Sequence, residues 1–209
     1  MLKYDGWLPG SLPSDRSDTL QIARHEAANA AIGLFVAETK LENISLCVPG
    51  AEGVTHFTSI PEQPMTRRHF EAQFLVYRAG RADDDVFHEV DAGSGSGPSS
   101  DLALATRLCA SIHRACRLDD EILSFGSPDS AVASLRVDPE FRKIVEADLQ
   151  RLYVRAKAMV VERKADIEHV ARELVRRRFL SADEVEDILT TTARSRVPSG
   201  RVPTGGRNG

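Results

Sequence analysis

Arg24-His25-Glu26-Ala27-Ala28-Asn29 lies inside an apolar-periodic run from Thr19 to Val36. Leu20, Ala23, Ala27, Ala30, Ala31 and Leu34 fall at helical spacing, so the run predicts a helix. Its many alanines predict one packed closely on its neighbours. Ser14 or Asp15 offers a cap for it, and Ser17 or Asp18 a later start. On a helix, positions i and i+4 share one face. A His-Glu-x-x-His run therefore lets two imidazoles hold one zinc ion while the glutamate polarises a metal-bound water. His25 and Glu26 occupy the first two of those places, and Asn29 stands in the third. A His-Glu pair on an alanine-rich helix also arises by chance, so the rest of the chain decides what the stretch means.

Outward from this helix, Asn43 to Val48 and Val54 to Ile60 read as two short strands. Pro49-Gly50-Ala51-Glu52-Gly53 between them is a run of turn residues, which predicts a β-hairpin. Met65 to Ala79 has helical spacing at Phe70, Phe74, Leu75 and Tyr77, with Gly80 expected as its C-cap. Asp91 to Ser100 is a glycine-serine loop that mimics a phosphate cradle, yet no Lys-Ser/Thr follows and Pro98 breaks the dinucleotide spacing. The loop leads into a helix from Asp101 to about Cys116, capped by Ser99 or Ser100. Leu118 to Val137 reads as irregular. Asp138-Pro139-Glu140 then starts a helix that runs to the Arg163 region. A further helix covers Asp166 to Arg177, and Ser181-Ala182-Asp183-Glu184 is a capping-box start for a last one. The expected architecture is mainly α-helical, with one small β-hairpin beside the His25 helix. Residues 1–14 form an irregular lead-in, 15–193 the folded domain, and 194–209 a disordered tail.

Composition narrows the function. A length of 209 residues suits one domain with a tail. A net charge of -4 gives no basic surface for nucleic acid. No run has the length of a membrane-spanning helix, and Met1 to Pro13 lacks the order of a signal peptide. Cys47, Cys109 and Cys116 make neither a C-x-x-C pair nor an even framework, so reduced thiols in a cytoplasmic compartment are expected. The run Arg172 to Arg178 is interrupted by Glu173 and Leu174 and followed by Asp183, Glu184, Glu186 and Asp187. It reads as a salt-bridged helix surface rather than an anion site.

Taken in order, these pieces resemble the peptidase domain of the FtsH family of ATP-dependent zinc metalloproteases. His25-Glu26-Ala27-Ala28-Asn29 stands where the family carries H-E-A-G-H. Asn43-Ile44-Ser45-Leu46-Cys47-Val48-Pro49 is similar to its V-T-I-x-P strand, and Gly53-Val54-Thr55-His56-Phe57 to its glycine-led edge strand. Gly80-Arg81-Ala82-Asp83-Asp84-Asp85 resembles its G-R-x-A-E-E segment, with aspartates for glutamates. Asp101-Leu102-Ala103-Leu104-Ala105-Thr106 resembles its D-L-x-x-A-T, at a separation from His25 that the family also shows. The resemblance covers roughly Leu20 to Leu189. It implies a metallopeptidase-like fold with His25 and Asp101 as metal ligands and Glu26 as general base. It also implies Val54, Thr55, His56 and Phe57 as the strand that holds substrate.

Two departures shape the expected function. No Walker-type loop is present, so neither a nucleotide nor an ATPase module is expected in the chain, and no membrane anchor is expected before the motif. Asn29 offers zinc only a neutral amide oxygen, a poorer partner than imidazole. Zinc binding is expected to be weak, and without zinc Glu26 has no acidified water to deprotonate. His56 or His88 as a substitute ligand, Asp84 or Asp85 in an oxygen-rich site, and Cys109, His113 and Cys116 along one helix face are the rescues to weigh. An ordinary surface histidine, a solvated acidic cluster and a core-facing helix side are the simpler readings of each. The expectation is therefore a weak or inactive peptidase domain acting on peptides or unfolded segments. The alternative is a non-catalytic pseudo-peptidase that binds extended peptides or modulates a separate FtsH-type assembly and its ATPase.

Overall fold

The computed structural model describes residues 16–48, 51–59, 65–87, 100–116, 118 and 126–196. In chain order these form α1 (Arg16–Val36), β1 (Thr39–Val48), β2 (Ala51–Ser59), α2 (Arg67–Phe87), α3 (Asp101–Arg114), α4 (Pro128–Ser134), α5 (Pro139–Glu162), α6 (Lys164–Arg177), β3 (Phe179–Ser181) and α7 (Ala182–Arg196). The lead-in, most of the glycine-serine loop, His88 and the end of the tail lie outside the described residues. No described helix is long and apolar enough to cross a membrane.

The described residues are mainly helical, as the sequence predicts. α1 packs on α2, α6 and both hairpin strands, and Ala23, Ala27, Ala28 and Ala30 are fully buried. Small side chains let these neighbours come close. At Gly33 the approach leaves no room for more: an added Cβ would lie 2.4 Å from Phe57 Cε1. α2 and α5 complete the layer with Phe74, Leu75, Leu152 and Ala156 in the core.

β1 and β2 pair antiparallel, with Ile44 opposite Thr55 and Leu41 opposite Phe57. A register shift between Leu41 and Asn43 inserts Glu42 as an extra residue. That shift puts Leu41 on the core side together with Ile44 and Leu46, which strict alternation would forbid. The hairpin is not the whole sheet. β3 pairs with β1 through Ile44 and Leu180, giving the order β2-β1-β3 and leaving β2 at the edge. Three residues are too few for periodicity to reveal such a strand.

Two helices also differ from expectation. α2 does not stop at Gly80 but continues to Phe87, and Leu118 to Val137 contains α4, whose N-cap Ser127 and first residue Pro128 follow an ordinary helix-start pattern. α1 begins at Arg16, before the later start offered by Ser17 or Asp18, and Ser14 and Asp15 lie outside the described residues. Three other caps fall where the sequence puts them. Ser100 accepts from the Ala103 amide, and Asp138 from that of Phe141. Ser181 and Glu184 exchange the two bonds of a capping box.

Candidate active site

Three elements converge on His25. α1 carries it, α2 passes so close that a Cβ on Gly80 would lie 2.3 Å from the ring, and α3 begins beside it. Gly80 is therefore not a cap; it is the point where α2 has no side chain so that the imidazole can occupy the space. His25 Nδ1 lies 3.0 Å from Asp84 Oδ2, and Nε2 lies 3.7 Å from Asp101 Oδ2. Burial alone would lower the pKa of His25. The carboxylates of Asp101 and Asp84, with the charge of Glu26, outweigh burial and push it up to about 10. Each ring nitrogen faces a carboxylate, and both carboxylates favour a proton on the ring.

Asp84 is buried and aimed at His25, not part of a solvated cluster, and its Oδ1 has no hydrogen-bond partner. Asp85 is the solvated acid of the pair and bonds Lys157. The neighbouring Asp83 is fully buried against Arg24, Nε to Oδ2 at 3.1 Å. These inward-facing aspartates explain why α2 runs on past Gly80. Asp101 is the first residue of α3, where the helix dipole favours a carboxylate.

Glu26 is buried, and burial pushes its carboxyl up against the lowering pull of His25 and of the Thr55 hydroxyl. Thr55 Oγ1 donates to Glu26 Oε2 at 2.5 Å. A Cβ on Gly53 would meet Glu26 Cγ at 2.8 Å, so β2 lies directly on this side chain. Of the strand residues singled out in the sequence, Thr55 and Phe57 face α1, whereas His56 is exposed and Val54 half-buried.

Asn29 shares the His25 side of α1, but its Oδ1 accepts the Gly80 amide at 2.8 Å. One lone pair of the oxygen that would have to serve a metal is thus engaged in tying α1 to α2. A catalytic zinc needs three protein ligands and an open position. Here His25 Nε2 and Asp101 Oδ2 converge as two. Asp84 sits on the Nδ1 side of the ring, as an orienting carboxylate would. Among the described residues no group of three or more His, Cys, Asp or Glu could hold a metal ion. The donors present do not fit a three-ligand zinc centre. The α3 face is no substitute either: Cys109 is buried, His113 Nε2 is 3.1 Å from Asp148 Oδ2, and Cys116 is exposed.

Sequence reasoning names His25, Glu26, Asn29 and Asp101. It misses the Asn29–Gly80 bond, the role of Gly80 and the inward turn of Asp84. One signal was available: Asp84 follows Gly80 by four residues, so the two share a helix face if the helix does not end between them.

A central helix with an adjacent His-Glu pair, an aspartate opening α3 and an edge strand on the glutamate have the layout of a metallopeptidase-type frame. The family model described as Peptidase family M41 matches residues 14–188, and the chain belongs to that family. It is 24% identical over 194 residues to a Caenorhabditis elegans ATP-dependent zinc metalloprotease YME1 homolog, covering 87% of this chain and 26% of that protein. It is 26% identical over 193 residues to the ATP-dependent zinc metalloprotease FtsH 1 of Sorangium cellulosum, covering 86% and 31%. A Schizosaccharomyces pombe relative, the mitochondrial inner membrane m-AAA protease component yta12, is 25% identical over 181 residues, covering 80% and 23%. The chain thus spans between a quarter and a third of the length of most such relatives, and the resemblance to an FtsH-family peptidase domain read from the sequence is borne out.

Proposed function

We propose that this domain is a degenerate member of its family: a peptidase frame whose own peptide-bond hydrolysis is weak or absent, with an edge strand that binds extended peptide. The observation that carries the reading is the bond from the Gly80 amide to Asn29 Oδ1. It leaves a neutral amide oxygen, with one lone pair engaged, where a metallopeptidase centre needs an imidazole. With only His25 and Asp101 free to bind zinc, the acidified water that Glu26 would deprotonate is not expected to form at useful occupancy. Peptide binding needs no metal. An unfolded segment adds to a sheet edge through backbone hydrogen bonds, and β2 is the edge that lies on Glu26. A peptide or unfolded protein segment is therefore the ligand, and modulation of an FtsH-type assembly is the role such binding suits.

The test is zinc content and calorimetry together with casein cleavage, on the chain itself and on Glu26→Gln. The expected result is well under one zinc per chain and residual cleavage that Glu26→Gln leaves unchanged. Tight binding of one zinc, with cleavage abolished in Glu26→Gln, overturns the reading.

A further inference from the structure

α2 and β2 lie against consecutive residues of α1. Gly80 of α2 stands over the His25 ring, and Gly53 of β2 stands over Glu26. Consecutive helix residues point about 100° apart, so α2 and β2 flank α1 on adjacent sides. β1 pairs with the other edge of β2 and leads on toward α6. The free edge of β2 therefore borders a groove toward α2. His25 and Glu26 lie on its floor, with Asp101 Oδ2 3.7 Å from His25 Nε2. Farther along, Phe57 of β2 and Tyr77 of α2 line one cavity.

The floor of this groove carries more acid than base. Glu26 and Asp84 are buried and Asp101 is half-buried, and the charge of each acts on His25 or bonds to it. The cations within reach are the His25 ring and Arg78, whose guanidinium feels the charge of Asp101. Arg24 is matched by Asp83, and Lys157 by Asp85. His56 alternates with Thr55, so it lies on the outer face of β2, exposed to solvent that screens its charge. Three carboxylates thus face at most two cations. One of their oxygens, Asp84 Oδ1, is buried with no hydrogen-bond partner. A cleft with an unbalanced negative charge concentrates cations.

We propose that this centre takes an ammonium group in place of a metal ion, and that a peptide bound along β2 supplies it as a lysine side chain. The inference rests on the peptide-binding reading above and adds the class of sequence bound. Zinc requires a third ligand in a fixed tetrahedral set, which the donors present do not supply. An ammonium requires only acceptors: it is a compact charge with three N–H donors on a flexible stem. Carboxylate oxygens of Glu26 and Asp101, brought from α1 and α3, accept such donors in charge-assisted hydrogen bonds. The four-carbon stem of lysine lets the charge reach the floor while the peptide backbone stays on the strand edge. Methionine has a comparable unbranched chain and no charge, so it leaves the carboxylates as they were. Glutamate adds a fourth negative charge.

The experiment is fluorescence anisotropy on the full chain in EDTA at constant ionic strength. The peptides share one uncharged, unstructured host sequence with a blocked N-terminus, and Lys, Met or Glu is scanned through each position. At one position Lys should bind about tenfold tighter than Met, with Glu weaker still. Asp101→Asn should remove the Lys-over-Met gap at that position. Should Asp101→Asn fail to fold by circular dichroism, Glu26→Gln takes its place and should shrink the same gap. A gain from Lys of similar size at every position is general attraction to an acidic chain and overturns the site. So does a position-specific gap that survives the substitution. Equal binding of the three peptides at every position overturns the ammonium site while peptide binding stands. Binding of no peptide in the set overturns the ammonium site and the peptide-binding reading together.

Discussion

The α1–α2–α3 centre and the α5–α7 half hold charge in opposite ways. Around α1, Arg24, Glu26, Asp83 and Asp84 are all buried, and His25 sits between two acids. On α5 and α6 many charged pairs lie outside, such as Lys143 with Glu140, and Arg176 and Arg177 with Glu173, although Asp166 is buried and Asp148 is largely so. Exposed pairs contribute little to stability, because water already solvates both partners. Buried pairs must recover a large desolvation cost through close, complete partnering, and apolar residues often fill such space equally well. A centre that keeps so much charge inside is weak evidence for stability and better evidence for a site. The other half is a scaffold of ordinary packing.

The largest effect should come from removing one partner of the most buried pair. Arg24→Met leaves Asp83, which is fully buried, without its guanidinium and removes the contact with Glu168. The expected loss is about 3–5 kcal/mol of folding stability, read from urea denaturation. Arg176→Ala on the exposed α6 surface should shift the same curve by no measurable amount. Equal effects from the two substitutions would erase the contrast between the regions.

Next comes the tie between α1 and α2. Gly80→Ala drives a methyl group into the His25 ring and should cost about 1–3 kcal/mol through overpacking. Asn29→Ala removes the side-chain oxygen that ties α1 to the Gly80 amide and should cost about 0.5–1.5 kcal/mol. Thermal melting measures both. If Asn29→Ala melts with the wild-type chain, the asparagine is a vacant ligand position rather than a structural tie, and the proposed function loses its main support.

The same contrast decides what the sequence could tell. α3, α5 and α7 were legible because their caps are local: Ser100, Asp138 and Ser181 each bond a backbone amide within their own first turn. The His25–Glu26 pair and Asp101 were legible as residue types at recognisable spacings. What was hidden depends on contacts between elements remote in sequence. Gly80 looks like a helix end because glycine usually marks one, yet its meaning comes from His25, 55 residues earlier (80 minus 25). Asp83, Asp84 and Asp85 are three alike in sequence, and only the partners Arg24, His25 and Lys157 separate two buried residues from an exposed one. β3 was hidden because it exists only through its pairing with β1.

A pH series sharpens the comparison further. The His25 pKa is raised from the ordinary 6.5 to about 10 in the folded chain. The stability it contributes is fully present below the unfolded value and is lost as pH rises through the folded one. Between roughly pH 6.5 and 10 the unfolding free energy should therefore fall, by at most about 1.4 kcal/mol per pH unit for one proton. The raised Glu26 carboxyl acts in the same direction from a lower pH. His25→Gln should flatten the upper part of the profile. An unchanged slope in that variant would mean that the charge of the centre is not carried by His25.

The smallest effect concerns thiols rather than ion pairs, and it tests whether α3 is held as closely as its packing implies. Cys109 is buried on α3, where burial and the nearby Asp148 push its thiol up to about 12. Cys116, two residues beyond the end of the same helix, is exposed. The reacting species is the thiolate, so access and thiol pKa together set the rate. Iodoacetamide at pH 8, followed by peptide mass mapping, should label Cys116 promptly and Cys109 only after denaturation. The two cysteines share a chain, a reagent and nearly a helix, so a difference in rate reports the protection given by α2 and α5 packed over α3. Comparable labelling of both in the native protein would mean that α3 opens readily, and Asp101 at its start would then be an unreliable partner for His25.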